Sequence, residues 1–217
     1  VGNYYSWTVP TSFYGQIPNA KSGTGTITCI TYSNGSQVGS ASYSFKVWCN
    51  ESQCIPSLSA TLIDSNEGTI ALTGSTSTNP IWVDYKSIAT LTLSYQVKNS
   101  ATISQVLING QAQQIGTIYN LSSVAFNSIS IQVTDSRGYS NTYTFAPTGT
   151  NADKNYDRIQ YVEVSINPTT SRSSQIADDM RVELNGNYFK GNFSDAVANT
   201  LSIAWRVREK NGTWATG

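Results

Sequence analysis

Between residues 129 and 145 the apolar residues Ile129, Ile131 and Val133 alternate with polar ones, and the run breaks at Asp135-Ser136-Arg137-Gly138. Tyr139, Tyr143 and Phe145 then carry the alternation back out. A period of two marks a strand with one face buried. Aspartate bonds its own backbone two residues on, and glycine adopts positive φ without a Cβ clash, so the tetrapeptide closes a short hairpin. A strand that buries one face needs a second layer to bury it against. This segment therefore commits the chain to layered antiparallel β structure, an architecture that binds or builds more often than it catalyses.

The same logic extends through residues 54–147. Residues 58–64 and 89–97 read as strands, and residues 103–108 run into Asn109-Gly110, a hairpin turn. About seven strands in about ninety residues is the size of an immunoglobulin-like sandwich, with the Asp135–Gly138 hairpin as its last two strands. In residues 1–53, strands 25–32 and 41–48 flank another Asn-Gly turn. Trp7 to Pro10 and Ile17-Pro18 read as an edge strand and a loop, because proline is kept out of central strands. In residues 148–217, strands are expected at 158–166, 180–189 and 199–208, with Trp205 pointing into a core. Ser194 to Asn199 is the one candidate for a helical turn.

Charge divides the chain at the same places. Residues 1–53 carry only Lys21, Lys46 and Glu51, whereas residues 148–217 carry eight charges of each sign. Polar, proline-containing stretches at 50–56 and 146–151 read as linkers. The expected organisation is an all-β chain of tandem antiparallel Ig-like and fibronectin III-like β-sandwiches. Residues 1–53 form the end of a module that starts upstream of Val1, which reads as an internal start. Residues 54–147 form a complete module, and residues 148–217 open a third that is incomplete at Gly217.

Thirteen basic and thirteen acidic residues give a formal net charge of zero, so no footprint for nucleic acid or an anionic membrane surface is present. Charged residues are 12% of the chain, about half the usual share, and Ser, Thr, Asn, Gln and Gly take their place. No apolar run is long enough to span a bilayer as a helix. The chain has no histidine, which removes the commonest general base and zinc ligand. Three cysteines are an odd, sparse set. They read either as free thiols or as one bridge, for which Cys29–Cys49 is the best pair.

Four strings carry a resemblance: residues 7–29 (WTVPTSFYGQIPNAKSGTGTITC), 133–139 (VTDSRGY), 186–193 (GNYFKGNF) and 199–206 (NTLSIAWR). Together they resemble the minor structural proteins of siphophages and prophages of Gram-positive bacteria, which are long tail-tip, baseplate or fibre proteins built of Ig-like and fibronectin-like repeats. The first string is the most specific. The resemblance implies an extracellular virion component of the phage tail that spans or contacts the host envelope, with other tail proteins as partners. It assigns no ligand-binding residue.

Tyrosine and tryptophan rings stack on sugar faces and offer one polar tip each. Most of the 13 Tyr and 5 Trp fit core packing and cross-strand pairs. Trp82 and Tyr85, the least patterned, follow a Ser/Thr/Gly loop and are the candidates for an exposed contact. Asp178, Asp179 and Asp195 lack calcium-loop spacing and read as solvated turns. A glycosidase needs two carboxylates flanking a cleft, and no such pair stands out. The sequence thus predicts a non-enzymatic spacer and display segment for host attachment, without cofactor or bound metal. Host cell-wall polysaccharide and a second copy of the chain are candidate partners, and neither nucleic acid nor membrane insertion is expected. The rival readings are a carbohydrate-binding receptor-recognition module and a bacterial surface adhesin or accessory module.

Overall fold

The computed structural model describes residues 6–121, 128–174, 181–189, 192–193, 196–197, 200–208 and 211–216. The protein is mostly β, with 51% strand and 9% helix.

The N-terminal part is a long hairpin. Strand β1 (Ser22–Ser33) pairs antiparallel with β2 (Ser36–Trp48) through a one-residue irregularity at Thr31/Tyr32. The turn residues Asn34 and Gly35 sit at φ 49° and 80°, the left-handed pair that matches the twist of the flanking strands. Ahead of it, residues 7–10, expected to be an edge strand, form no strand, and Thr11–Gln16 after them form a 3-10 turn. Pro10 lacks an N–H for a ladder, and its carbonyl instead accepts from Phe13 N at 3.0 Å to start the turn.

The central part is a two-sheet sandwich. One sheet has the order β3-β5-β8, built from β3 (Ser57–Asp64), β5 (Ala89–Gln96) and β8 (Ile118–Leu121). The other has the order β4-β11-β10-β9-β6-β7. Its members are β4 (Ile81–Val83), β6 (Ile103–Ile108), β7 (Gln111–Gln113), β9 (Ile129–Asp135), β10 (Ser140–Pro147) and β11 (Lys154–Ile159). The alternation that opened the sequence argument is realised in β9, where Ile129, Ile131, Val133 and Asp135 are buried and the residues between them are half-exposed. Leu62, Leu91 and Leu93 from one sheet meet Val106, Ile108, Ile131, Val133 and Phe145 from the other in a single core. Each such side chain contributes about 1.5–3 kcal/mol by leaving water.

Two strands extend this sheet beyond the hairpin. Phe145 to Pro147 of β10 pair in parallel with Lys154 to Tyr156 of β11, and β11 pairs in parallel with β4. Parallel neighbours usually need a long crossover, but here the overlap is three residues, so the 148–153 loop suffices to return the chain. Tyr156 and Trp82 bring their rings into the core from these two strands. The strand expected over 158–166 is accordingly displaced: β11 starts at Lys154, and the next strand starts only at Ser165.

Two short helices were not anticipated: α1 (Glu51–Cys54) and α2 (Glu67–Thr73). Helix α2 is capped at both ends, by the Asn66 side chain accepting from Gly68 N and Thr69 N and by Gly74 at φ 68°.

The C-terminal part contains an antiparallel pair, β12 (Ser165–Ser171) and β13 (Arg181–Asn187), with every residue exposed. Two-residue pairings follow, including Arg206–Val207 with Ala215–Thr216. Trp205, expected to be inward, is 55% exposed, because no second sheet among the described residues lies over it. The turn expected at 194–199 falls mostly outside the described residues, and Ala196–Val197 within it pair with Asn192–Phe193.

Candidate functional site: an aromatic groove at the base of the hairpin

The groove exists because Arg137 holds the N-terminal segment against the sandwich. Arg137 sits at the tip of the β9–β10 turn with its side chain fully buried. Its Nε donates to Ile17 O at 3.1 Å, Nη1 to Lys98 O at 3.0 Å, and Nη2 to Tyr14 O at 2.9 Å and to Asn99 O. The planar guanidinium fork thus ties the 3-10 turn and the 98–99 loop to one hairpin. Asp135 Oδ1 accepts from Arg137 N and Tyr139 N. Its Oδ2 has no hydrogen bond and lies 3.5 Å from Arg137 Nη1, so the ion pair alone compensates it. Ser136 Oγ donates to Pro18 O at 2.5 Å. A second small core of Tyr14, Cys49, Cys54 and Tyr139 fills the junction, and Tyr139 Oη donates to Cys49 O at 3.1 Å.

Between this anchored segment and the lower half of the hairpin lies an open groove of about 530 Å³. Trp7 and Phe13 form one wall, with their rings edge-to-face at 5.7 Å. Gly23, Gly25, Ile27, Phe45 and Val47 form the floor, and Gln16, Thr24 and Thr26 add polar groups at the sides. Gly25 lies under the Phe45 ring. A Cβ on it would stand 2.6 Å from Phe45 Cζ, so the absent side chain is what lets the ring lie across the strand. Trp7 and Phe13 are 58% and 43% exposed, so the groove presents aromatic faces to solvent.

The two sequence candidates separate in the structure. Trp82 is buried in the sandwich core, which corrects its reading as an exposed contact: β4 extends the larger sheet beside β11, and the indole packs from it into the core. Tyr85 is 58% exposed and sits at φ 61°, a left-handed position uncommon for an aromatic residue. Next to it, Lys86 Nζ lies 4.3 Å from the ring centre of Tyr161. The exposed aromatics that the structure does bring together, Trp7 and Phe13 beside Phe45, were not picked out by sequence reasoning. The signal was there, since they fall within the 7–29 string beside the glycine-alternating run Gly23-Thr24-Gly25.

The buried acids are occupied by the fold. Asp64 accepts from Asn66 N, Ile88 N, Ser87 Oγ and Thr69 Oγ1. Asp84 takes Arg158 in a fork, with Nε and Nη2 both at 2.9 Å from its oxygens, and this carboxylate holds the Arg158 proton more tightly than usual. Among the described residues no group of three or more acidic, cysteine or histidine side chains is placed to hold a metal. Asp178, Asp179 and Asp195 lie outside the described residues. All three cysteines are free, with Cys29 exposed and Cys49 and Cys54 buried. Burial and the neighbouring Cys54 push the Cys49 thiol pKa up.

The chain matches one family model over residues 1–216, described as "Siphovirus protein of unknown function (DUF859)". Comparison with curated proteins finds no match, and comparison with solved structures finds none.

Proposed function

The chain belongs to this siphovirus protein family, and from that premise we propose that it is a structural segment of the phage tail tip or fibre, a spacer and display element in attachment to the host cell surface. The observation that carries the reading is the sandwich itself. In chain order its strands fall as first, second and fifth in one sheet and fourth, third, sixth and seventh in the other, when β3, β5, β6, β7, β8, β9 and β10 are counted. That order supports an Ig-like or fibronectin III-like module, with α2 and β4 inserted between its first two strands and β11 added at its edge. Such modules recur in tandem, and residues 1–53 and the part of 148–217 beyond β11 are read as parts of flanking units. Structural donors saturate Asp64, and Asp84 and Asp135 are each tied to an arginine, which favours a non-catalytic role.

Attachment has two forms that differ in one experiment. Fab fragments raised against the chain are added to virions before adsorption to host cells, and the labelled chain is separately tested for binding to those cells and their wall polysaccharides. The spacer reading expects Fab to slow adsorption while the folded chain alone does not bind. Saturable binding competed by free polysaccharide moves the assignment to the receptor-recognition module, with the Trp7–Phe13 groove as its site. Adsorption unaffected by saturating Fab contradicts both.

A further inference from the structure

We propose that Cys49 and Cys54 form a paired oxidation site, at which a small peroxide converts the two thiols into an intrachain bridge that braces the joint between the hairpin and the sandwich. The proposal goes beyond the attachment role and stands independently of it.

The local fold brings the pair together. Cys49 directly follows β2, and Cys54 is the last residue of α1. Gln53 N donates to Asn50 O at 3.1 Å and Ile55 N to Glu51 O at 2.9 Å, so the chain makes one turn after Cys49 and returns beside it. Both side chains enter the small core with Tyr14 and Tyr139. Both are also fixed from outside. Cys49 N donates to Lys21 O at 2.8 Å, and Cys49 O accepts from Tyr139 Oη at 3.1 Å. Asn99 Nδ2 donates to Gln53 O at 3.0 Å and lies 3.8 Å from Cys54 Sγ. Burial raises the Cys49 thiol above its ordinary 9.0, and Cys54 is the neighbour that adds most to the shift. Cys29, the partner expected from the sequence, is out of reach. Trp48 pairs with Ser22, and from there Cys29 lies about 23 Å along β1, far past the roughly 7 Å within which two Cα atoms can be bridged.

The two thiols have different access. Cys54 is 0% exposed and Cys49 7%, so Cys49 is the one that meets a small oxidant. The Cys49 thiolate attacks one peroxide oxygen and the O–O bond breaks. Hydroxide leaves and takes up the thiol proton as water, and Cys49 becomes a sulfenic acid. The Cys54 thiol then attacks the Cys49 sulfur, the S–O bond breaks, and a second water leaves with the Cys54 proton. In sum, two thiols and one hydrogen peroxide give one disulfide and two waters. The raised thiol keeps little thiolate at neutral pH, so the step is slow. A reducing cytosol leaves the pair as thiols, and an oxidising medium converts it. The bridge closes a ring around α1, so the turn cannot unwind and Cys49 stays against Tyr139 and Lys21.

The test treats the reduced full chain with hydrogen peroxide, alkylates the remaining thiols in denaturant, and digests with trypsin and a glutamate-specific protease. Cleavage after Glu51 parts the two cysteines. The expected product is peptide 47–51 joined to peptide 52–67, released by reductant, with Cys29 on the separate peptide 22–46. On the folded chain, trypsin cleavage after Lys21 should slow several-fold on oxidation and recover on reduction. In Cys54→Ser, shown to fold by circular dichroism, Cys49 loses its resolving partner and should accumulate the dimedone adduct of a sulfenic acid. Cys49 and Cys54 that are both alkylated after exposure sufficient to oxidise Cys29 overturn the proposal. So does a bridge from Cys29 to either of them. An unchanged cleavage rate in the bridged chain overturns the bracing role. Should Cys54→Ser fail to fold, the joined peptides of the original chain decide alone.

Discussion

Removing the Arg137 guanidinium takes a charged donor from the carbonyls of Tyr14, Ile17, Lys98 and Asn99 and leaves Asp135 Oδ2 buried beside no cation. Breaking a buried pair on one side costs about 3–5 kcal/mol, and Arg137→Lys recovers only part of it because an ammonium cannot span the fork. The loss should fall on the junction first. Trypsin cleavage after Lys21, whose Nζ sits 4.6 Å from the Tyr139 ring centre, should accelerate well before the sandwich unfolds. Cleavage at the original rate in Arg137→Ala would show that the segment is held by other means. Trp82 and Tyr85 should respond in opposite ways. Trp82→Ala opens the core and costs about 3–5 kcal/mol, whereas Tyr85→Asn, which suits a left-handed position, should stay within about 0.5 kcal/mol of the original in denaturant melts. Burial also sets the alkaline limit. The Tyr156 hydroxyl is pushed up to about 12 from its ordinary 10.0, chiefly by desolvation, and Tyr119, Tyr139 and Tyr143 are raised in the same direction. The fold favours the protonated phenol. This stabilisation, roughly 2–3 kcal/mol from Tyr156, is complete below pH 10 and lost between pH 10 and about 12. Tyrosinate absorbance should therefore appear in a late step that coincides with unfolding. Smooth titration of every tyrosine near pH 10 would contradict this.

At the level of elements, period-two alternation and turn chemistry carried most of the information. The Asn34-Gly35 and Asp135–Gly138 hairpins form where both signals coincide, and β3, β5 and β6 match their expected spans within two residues. What escaped has local physical reasons. Helix α2 is seven residues long and too short to show a helical period, yet Asn66, Glu67 and Gly74 were legible as cap, first-turn acid and stop. Asn66→Ala should cost about 1 kcal/mol or somewhat more, since the same side chain also donates to Lys86 O. A change within about 0.2 kcal/mol would mean that the cap is redundant. Strand β4 was missed and β11 was expected four residues too late, because their pairing is parallel and three paired residues leave no alternation to read. The groove was invisible for a different reason. Trp7 and Phe13 come from irregular segments, and the bonds from Arg137 and Ser136 to Tyr14, Ile17 and Pro18, more than a hundred residues away in sequence, set them beside Phe45.

At the scale of the molecule, the described residues form one sandwich that carries ribbons whose faces remain open to solvent, an arrangement suited to a chain that completes its surfaces in an assembly. The legible part of the function was its class. Zero net charge, the lack of histidine and the hydroxyl-rich strands argued for a structural β protein, and the match over residues 1–216 places the chain in a siphovirus family. Which surface makes contact was not legible, because exposure of an aromatic ring depends on strand order rather than on its neighbours in sequence. The central claim is a place at the distal end of the tail. Electron microscopy of intact virions labelled with gold-conjugated antibody against this chain tests it most directly. The account predicts gold confined to the tail tip or its fibres, displaced by free chain. Gold on the capsid, along the tail tube, or on no part of virions whose labelling is verified with a known tail antibody would contradict it.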